Sequence, residues 1–211
     1  MAKHIVSEAV AHYGPVLIEE ILDEPWVLEK TWTEEEYLAL ETNRLVEFVD
    51  GKLEILPMPD YQHNTAARKL ANLFEEYAET HKPGVAVCAP FIMKVRGRKY
   101  REPDVIFLFN ENLDKFDNKF WTGADIAVEI VSPGGEKRDW HDKRADYARA
   151  GISEYWIIDP KPATVTVLKL VGKRYVEHGV FPSGERVTSS ILIAFSVEAD
   201  LLLSPRMPKR K

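Results

Sequence analysis

The sequence predicts a mixed α/β protein, with a central mixed sheet flanked by helices, a β-hairpin ahead of it and additional strands behind it. Three observations carry this. An Asp50-Gly51 pair separates two short alternating runs, a strong local signal for a hairpin. A long segment from His63 repeats apolar residues every three or four positions, as an amphipathic helix does. Two short apolar runs, Val105 to Phe109 and Ile126 to Val131, then read as strands buried on both faces.

In chain order, residues 1–30 mix apolar and acidic residues with Pro15 and Pro25 and show no period, so they are expected to form an N-terminal arm. Thr33 followed by Glu36 has the form of a capping box, with a short helix to about Glu41. Leu45 to Leu56 forms the hairpin, and Pro57 and Pro59 stop its second strand. Ala66, Leu70, Leu73, Phe74 and Tyr77 mark one face of a helix from His63 to Thr80, which His81-Lys82-Pro83-Gly84 ends. Val85 to Val95 reads as a strand bent near Pro90. After the two buried strands, Lys137 to Ala150 reads as a helix closed by Gly151. Tyr155 to Ile158 is another buried strand, and Thr164 to Leu170, Tyr175 to Val180 and Val187 to Ile193 continue the sheet. This organisation implies one domain over residues 31–203 and a basic tail over 204–211.

Composition narrows the class. With 211 residues and 45% hydrophobic content the chain can bury a substantial core. No run approaches the roughly 18 apolar residues that would span a bilayer, and the N-terminus lacks the order of a signal peptide. A single cysteine, Cys88, rules out an internal disulfide or a cysteine metal cluster. A cytoplasmic protein is expected. The net charge of -6, with Arg206, Lys209, Arg210 and Lys211 among the cations of the tail, argues against a surface that grips nucleic acid everywhere. A nucleic-acid site must be a local basic surface or depend on bound cations.

Asp104 and Glu129 stand at the ends of the two buried strands. Neighbouring strands lie roughly 4.8 Å apart, so two such carboxylates can share one hard cation, and phosphodiester hydrolysis needs a cation of that kind. The same pair also suits a structural salt bridge. Asp139, Lys143 and Tyr147 recur every four residues and share a helix face. From there Lys143 can reach the carboxylates, orienting a water nucleophile or stabilising charge on a phosphorus centre, or it can simply pair with Asp139 on a solvated helix. Arg96, Arg98, Lys99 and Arg101 place four cations just before Asp104 and are candidate phosphate contacts. Trp140 and His141 are further candidates, although Trp140 also suits a packing role. Ser132-Pro133-Gly134-Gly135 lacks the glycine spacing and lysine of a nucleotide loop.

Pro103-Asp104, Glu129-Ile130-Val131-Ser132-Pro133, Asp139, Lys143, Tyr147, Gly151 and Glu154-Tyr155-Trp156 resemble the Uma-type putative restriction endonucleases, a branch of the PD-(D/E)XK nuclease superfamily. The likeness extends to Thr33 to Leu40, Glu47 to Gly51, His63 and the last strands, covering about residues 31–203. It implies a restriction-endonuclease-like core. It also implies Mg²⁺ (with Mn²⁺ as substitute) held by Asp104, Glu129 and the main-chain carbonyl of Ile130, and a DNA substrate. The plain superfamily pattern puts a lysine two residues after the second acid, where this chain has Val131; the branch implies Lys143 instead. The resemblance adds Glu47, to complete the site or bind its water, and His63, to touch a phosphate or assist proton transfer.

The resulting expectation is a Mg²⁺-dependent endodeoxyribonuclease with Asp104, Glu129 and Lys143 as its catalytic group. Restriction-type nucleases often pair two sites, so a homodimer or higher homo-oligomer is also expected. The rival is a binding or interaction protein that keeps the nuclease scaffold without turnover, suggested by the acidic charge and by Val131.

Overall fold

The computed structural model describes residue 22 and residues 25–204. The tail cations Arg206, Lys209, Arg210 and Lys211, and most of the N-terminal arm, lie outside the described residues. The backbone groups into two compact units. One comprises the described residues up to Met58 with Gly97–Arg101, and the other Pro59–Arg96 with the described residues from Glu102 onward.

In the first unit, helix α1 (Pro25–Glu29) precedes α2 (Glu34–Leu38). Thr33 and Glu36 close the expected capping box, each side chain accepting from the other's backbone amide at 3.1 and 2.9 Å. The hairpin joins β1 (Val46–Val49) to β2 (Lys52–Ile55), with Val49 opposite Lys52. Its two turn residues, Asp50 and Gly51, have φ of 50° and 92°, the left-handed pair that a tight hairpin demands. The short strand β5 (Lys99–Arg101) pairs with β1. Glu47 faces Glu54 across the hairpin, a like-charge pair that would repel. Arg101 answers it, donating from Nη1 to Glu47 at 2.7 Å and Glu54 at 2.8 Å.

In the second unit, α3 (Tyr61–Thr80) starts two residues earlier than its apolar period suggests, because the Asp60 carboxylate accepts from the His63 amide at 2.8 Å and caps it. Its face of Ala66, Leu70, Phe74 and Tyr77 packs on Phe107, Val128 and Trp156 of a six-stranded sheet. That sheet runs β11-β10-β9-β8-β6-β3, comprising β3 (Gly84–Cys88), β6 (Val105–Phe109), β8 (Ile126–Ile130), β9 (Glu154–Asp159), β10 (Thr164–Val171) and β11 (Arg174–Pro182). Every residue of β6, β8 and β9 is buried. Within this sheet only β8 and β9 pair in parallel, and a parallel pair requires a crossover. The crossover is the second helix: a π-helical turn, Arg138–Lys143, continued by α4 (Arg144–Ala150) and ended by Gly151 at φ 81°. Tyr147 and Ala148 cover the other face of the sheet, against Ile106, Ala127 and Ile157.

Two expected strands end early. Val85 to Val95 divides at Pro90, which has no amide to donate; β3 joins the six-stranded sheet, while β4 (Ile92–Arg96) pairs with β7 (Phe120–Trp121). Val187 to Ile193 is a strand only as β12 (Arg186–Thr188), paired with β13 (Ser196–Glu198) before α5 (Ala199–Leu203). Ser189 and Ser190 leave the ladder because their hydroxyls turn to the buried Glu154. Among the described residues no helix is long and apolar enough to cross a membrane.

Candidate active site

The site lies wholly within the second unit and is fixed first by sheet register. Strand β6 runs antiparallel to β8 with Val105 opposite Val128. Asp104 immediately precedes β6 and Glu129 immediately follows Val128, so continuing this register by one step would bring the two acids level. Ala127, two residues before Glu129, belongs to the core layer that includes Tyr147, so Glu129 sits on the side covered by the second helix. Both acids are buried. The Ile130 amide donates to Asp104 Oδ2 at 2.6 Å, tying the carboxylate across the strand gap.

The helix answers with two donors spaced one turn apart. Lys143 Nζ donates to Glu129 Oε2 at 2.8 Å, and Tyr147 Oη donates to Oε1 at 2.5 Å. Lys143 is 1% exposed, which a lone ammonium would not tolerate. Asp139 Oδ1 stands 3.9 Å from the same amine and accepts from Arg138 Nε at 3.1 Å. The helix face therefore points inward, not to solvent. The π turn that carries Asp139 and Lys143 is held from β9: Tyr155 Oη donates to the Asp139 carbonyl at 2.8 Å, and Trp140 Nε1 to Asp159 Oδ2 at 3.0 Å. Such turns recur at functional sites. Burial pushes the Asp139 carboxyl above its ordinary range and the nearby Asp104 adds to this, against the pull of Lys143 and Arg138.

His63 approaches from the start of α3. Its Nε2 lies 2.7 Å from Asp104 Oδ1, and its Nδ1 lies 3.5 Å from Ser132 Oγ. Burial disfavours the imidazolium, but the hydrogen bond and charge of Asp104, helped by Asp60 and Asp139, outweigh it and raise the pKa above the usual value.

The structure thus brings together Asp104, Glu129, Lys143 and His63, with Ile130 contributing its amide. Tyr147 and Asp139 complete the group; the four-residue spacing marked their shared face with Lys143 but not which way that face looks. Glu47 belongs to the first unit, where Arg101 takes its carboxylate. Of the four cations suggested as phosphate contacts, Arg101 is 2% exposed, and its charge is turned inward on Glu47 and Glu54. Arg96 and Arg98 are exposed. Arg98 also donates to the Trp32 carbonyl at 2.8 Å, and Lys99 lies 3.6 Å from Asp50. Trp140 is half-buried on Asp159, and His141 is exposed.

Among the described residues no group of three or more His, Cys, Asp or Glu side chains is arranged to hold a metal ion. The Asp104 and Glu129 carboxylates are the residues that could hold a hard cation such as Mg²⁺, which keeps several waters and takes one or two carboxylates from the protein. Hydrogen bonding to a carboxylate oxygen is compatible with coordination, since each oxygen has two lone-pair sites.

Comparison with solved structures places the fold. One match is the crystal structure of a "putative nuclease belonging to DUF820" from Anabaena variabilis ATCC 29413, with a TM-score of 0.66 and 20% identity, covering 81% of this chain and 96% of that one. The two share a nuclease-type arrangement of mixed sheet and flanking helices. Residues 34–202 match the family described as "Uma2: Putative restriction endonuclease", and the chain belongs to that family. No curated protein matches it.

Proposed function

We propose that this protein is a Mg²⁺-dependent endonuclease that hydrolyses phosphodiester bonds of DNA, with Mn²⁺ able to substitute. The observation that supports this most is the approach of Asp104 to the Ile130 amide, next to Glu129, with Lys143 Nζ 2.8 Å from Glu129. Asp104 and Glu129, with the Ile130 carbonyl, would hold the ion. When bound, the ion would neutralise charge on the scissile phosphate and make a water more acidic. The chain's own groups do the rest. The Ile130 amide and His63 keep Asp104 in one orientation, and Lys143 places a positive charge beside the position the reacting phosphate would take. Arg96, Arg98 and Lys99 are the proposed phosphate contacts. Cutting both strands calls for two such sites, which a homodimer in the cytoplasm would supply.

Plasmid incubated with purified protein and Mg²⁺ or Mn²⁺ tests this. Nicking or linearisation should require the ion and vanish in Asp104→Ala and Lys143→Ala. Intact plasmid, linear and single-stranded DNA, identical for wild type and Asp104→Ala, would end the enzyme reading.

One observation favours a binding protein without turnover: all four carboxylate oxygens of Asp104 and Glu129 already accept from protein donors. Calorimetric titration with Mn²⁺ separates the two readings, because a site closed on itself gives no binding heat.

A further inference from the structure

Glu129 is held at both oxygens by side chains of one helix. Lys143 and Tyr147 are four residues apart and so stack on one face, gripping Oε2 and Oε1 respectively. Lys143 supplies the counter-charge. Tyr147 supplies none, its ring is fully buried, and a phenylalanine would fill the same space, so packing does not require its hydroxyl. A glutamate side chain has three rotatable bonds, and a single contact would leave its carboxylate free to turn about the C–C axis. A second contact fixes the plane.

The Tyr147 ring is itself fixed. It meets Tyr155 edge-on at 5.1 Å, and Tyr155 lies 5.8 Å from Tyr175. The three hydroxyls serve different targets: Tyr147 the Glu129 carboxylate, Tyr155 the Asp139 carbonyl, and Tyr175 the Ile152 carbonyl at 2.8 Å. Only the first acts on a proposed ligand. The other two tie the start and end of the helix to the sheet.

We infer that Tyr147 is a positioning residue, whose hydroxyl sets the plane of the Glu129 carboxylate so that Oε2 keeps Lys143 and the carboxylate is aimed at a cation. The part concerning the cation rests on the metal-dependent reading above. The part concerning Lys143 does not.

Tyr147→Phe and Tyr175→Phe provide the test, since each removes one buried hydroxyl and keeps its ring. Two quantities are read on the full chain: Mn²⁺ affinity by calorimetry and, without metal, exchange of the Lys143 ammonium with water by heteronuclear NMR. Tyr147→Phe should weaken Mn²⁺ binding by about 10–100-fold, as loss of a group that orients a metal ligand does, and should broaden the Lys143 signal away. Tyr175→Phe should lower the melting temperature comparably and leave both readings at the wild-type value. Equal shifts in the two variants, or none in Tyr147→Phe, overturn the inference by reducing the hydroxyl to a stability bond. A wild-type Lys143 signal already lost to exchange overturns it too, because the amine is then not held. If wild type binds no Mn²⁺ but Tyr147→Phe alone loses the Lys143 signal, the positioning role stands and the metal reading falls.

Discussion

Glu129 and Glu154 lie on neighbouring parallel strands, and both are buried, yet their surroundings differ in kind. Glu154 accepts from Trp156 Nε1 at 2.6 Å, Ser189 Oγ at 2.7 Å, and the amide and hydroxyl of Ser190, each at 2.5 Å. These donors are neutral and come from its own strand and from a loop 35 and 36 residues away. Such a carboxylate is a knot that ties the C-terminal segment to the sheet. Glu129, by contrast, accepts from a cation and a hydroxyl that come from one helix. The counter-charge at Oε2 comes from the buried Lys143. A buried acid enclosed by neutral donors organises the fold, whereas one facing a buried cation belongs to a charged site.

The largest effect expected from this contrast is at Lys143. Lys143→Met leaves Glu129 charged and buried, which should lower stability in urea by about 3–5 kcal/mol, and saturating Mn²⁺ should restore part of the loss. No recovery with metal would break the contrast. Glu154→Ala strands several donors at once and should cost about 3 kcal/mol, with no response to Mn²⁺; a metal-dependent rescue there would show that the two acids are not different in kind. In the wild type, Mn²⁺ at a hundred times its dissociation constant should add about 2.7 kcal/mol, read as a rise in unfolding midpoint that Asp104→Ala abolishes. The smallest effect is at Asp60. Asp60→Ala removes the cap of the helix that carries His63 and should cost about 1 kcal/mol, while plasmid nicking and the Mn²⁺ response persist.

The elements that local rules specify are legible in the sequence. Thr33 and Glu36 form their capping box, Asp50-Gly51 turns its hairpin, and Gly151 ends its helix in the left-handed region. The site is less legible, because a carboxylate at the end of a buried strand describes Asp104 and Glu129 no better than Asp125, Glu154 or Asp159. Asp125, for example, accepts from the Phe109 amide and from Asn112 and secures a loop. What separates these acids is the charge of partners that lie far away in the sequence, and no local pattern encodes it. Arg101 shows the same limit. Four cations in six residues suggest an outward-facing patch, but the Glu47 and Glu54 pair across the hairpin draws Arg101 inside. The π turn likewise has no local signal; contacts to Tyr155 and Asp159 hold it.

Because the lysine reaches Glu129 from a helix, position 131 is free to be Val131, buried in the core layer beneath α4, and the lysine's aim depends on helical phase. Each residue added to or removed from a helix rotates its downstream side chains by about 100°. A one-residue deletion between Gly135 and Lys143 would therefore swing Lys143 and Tyr147 away from Glu129 together, even with every side chain of the site retained. Length in this short segment is under tighter constraint than the identity of its exposed residues, such as Lys137, His141 and Asp142. A library of insertions and deletions across the crossover would show that constraint as a gap at these few positions.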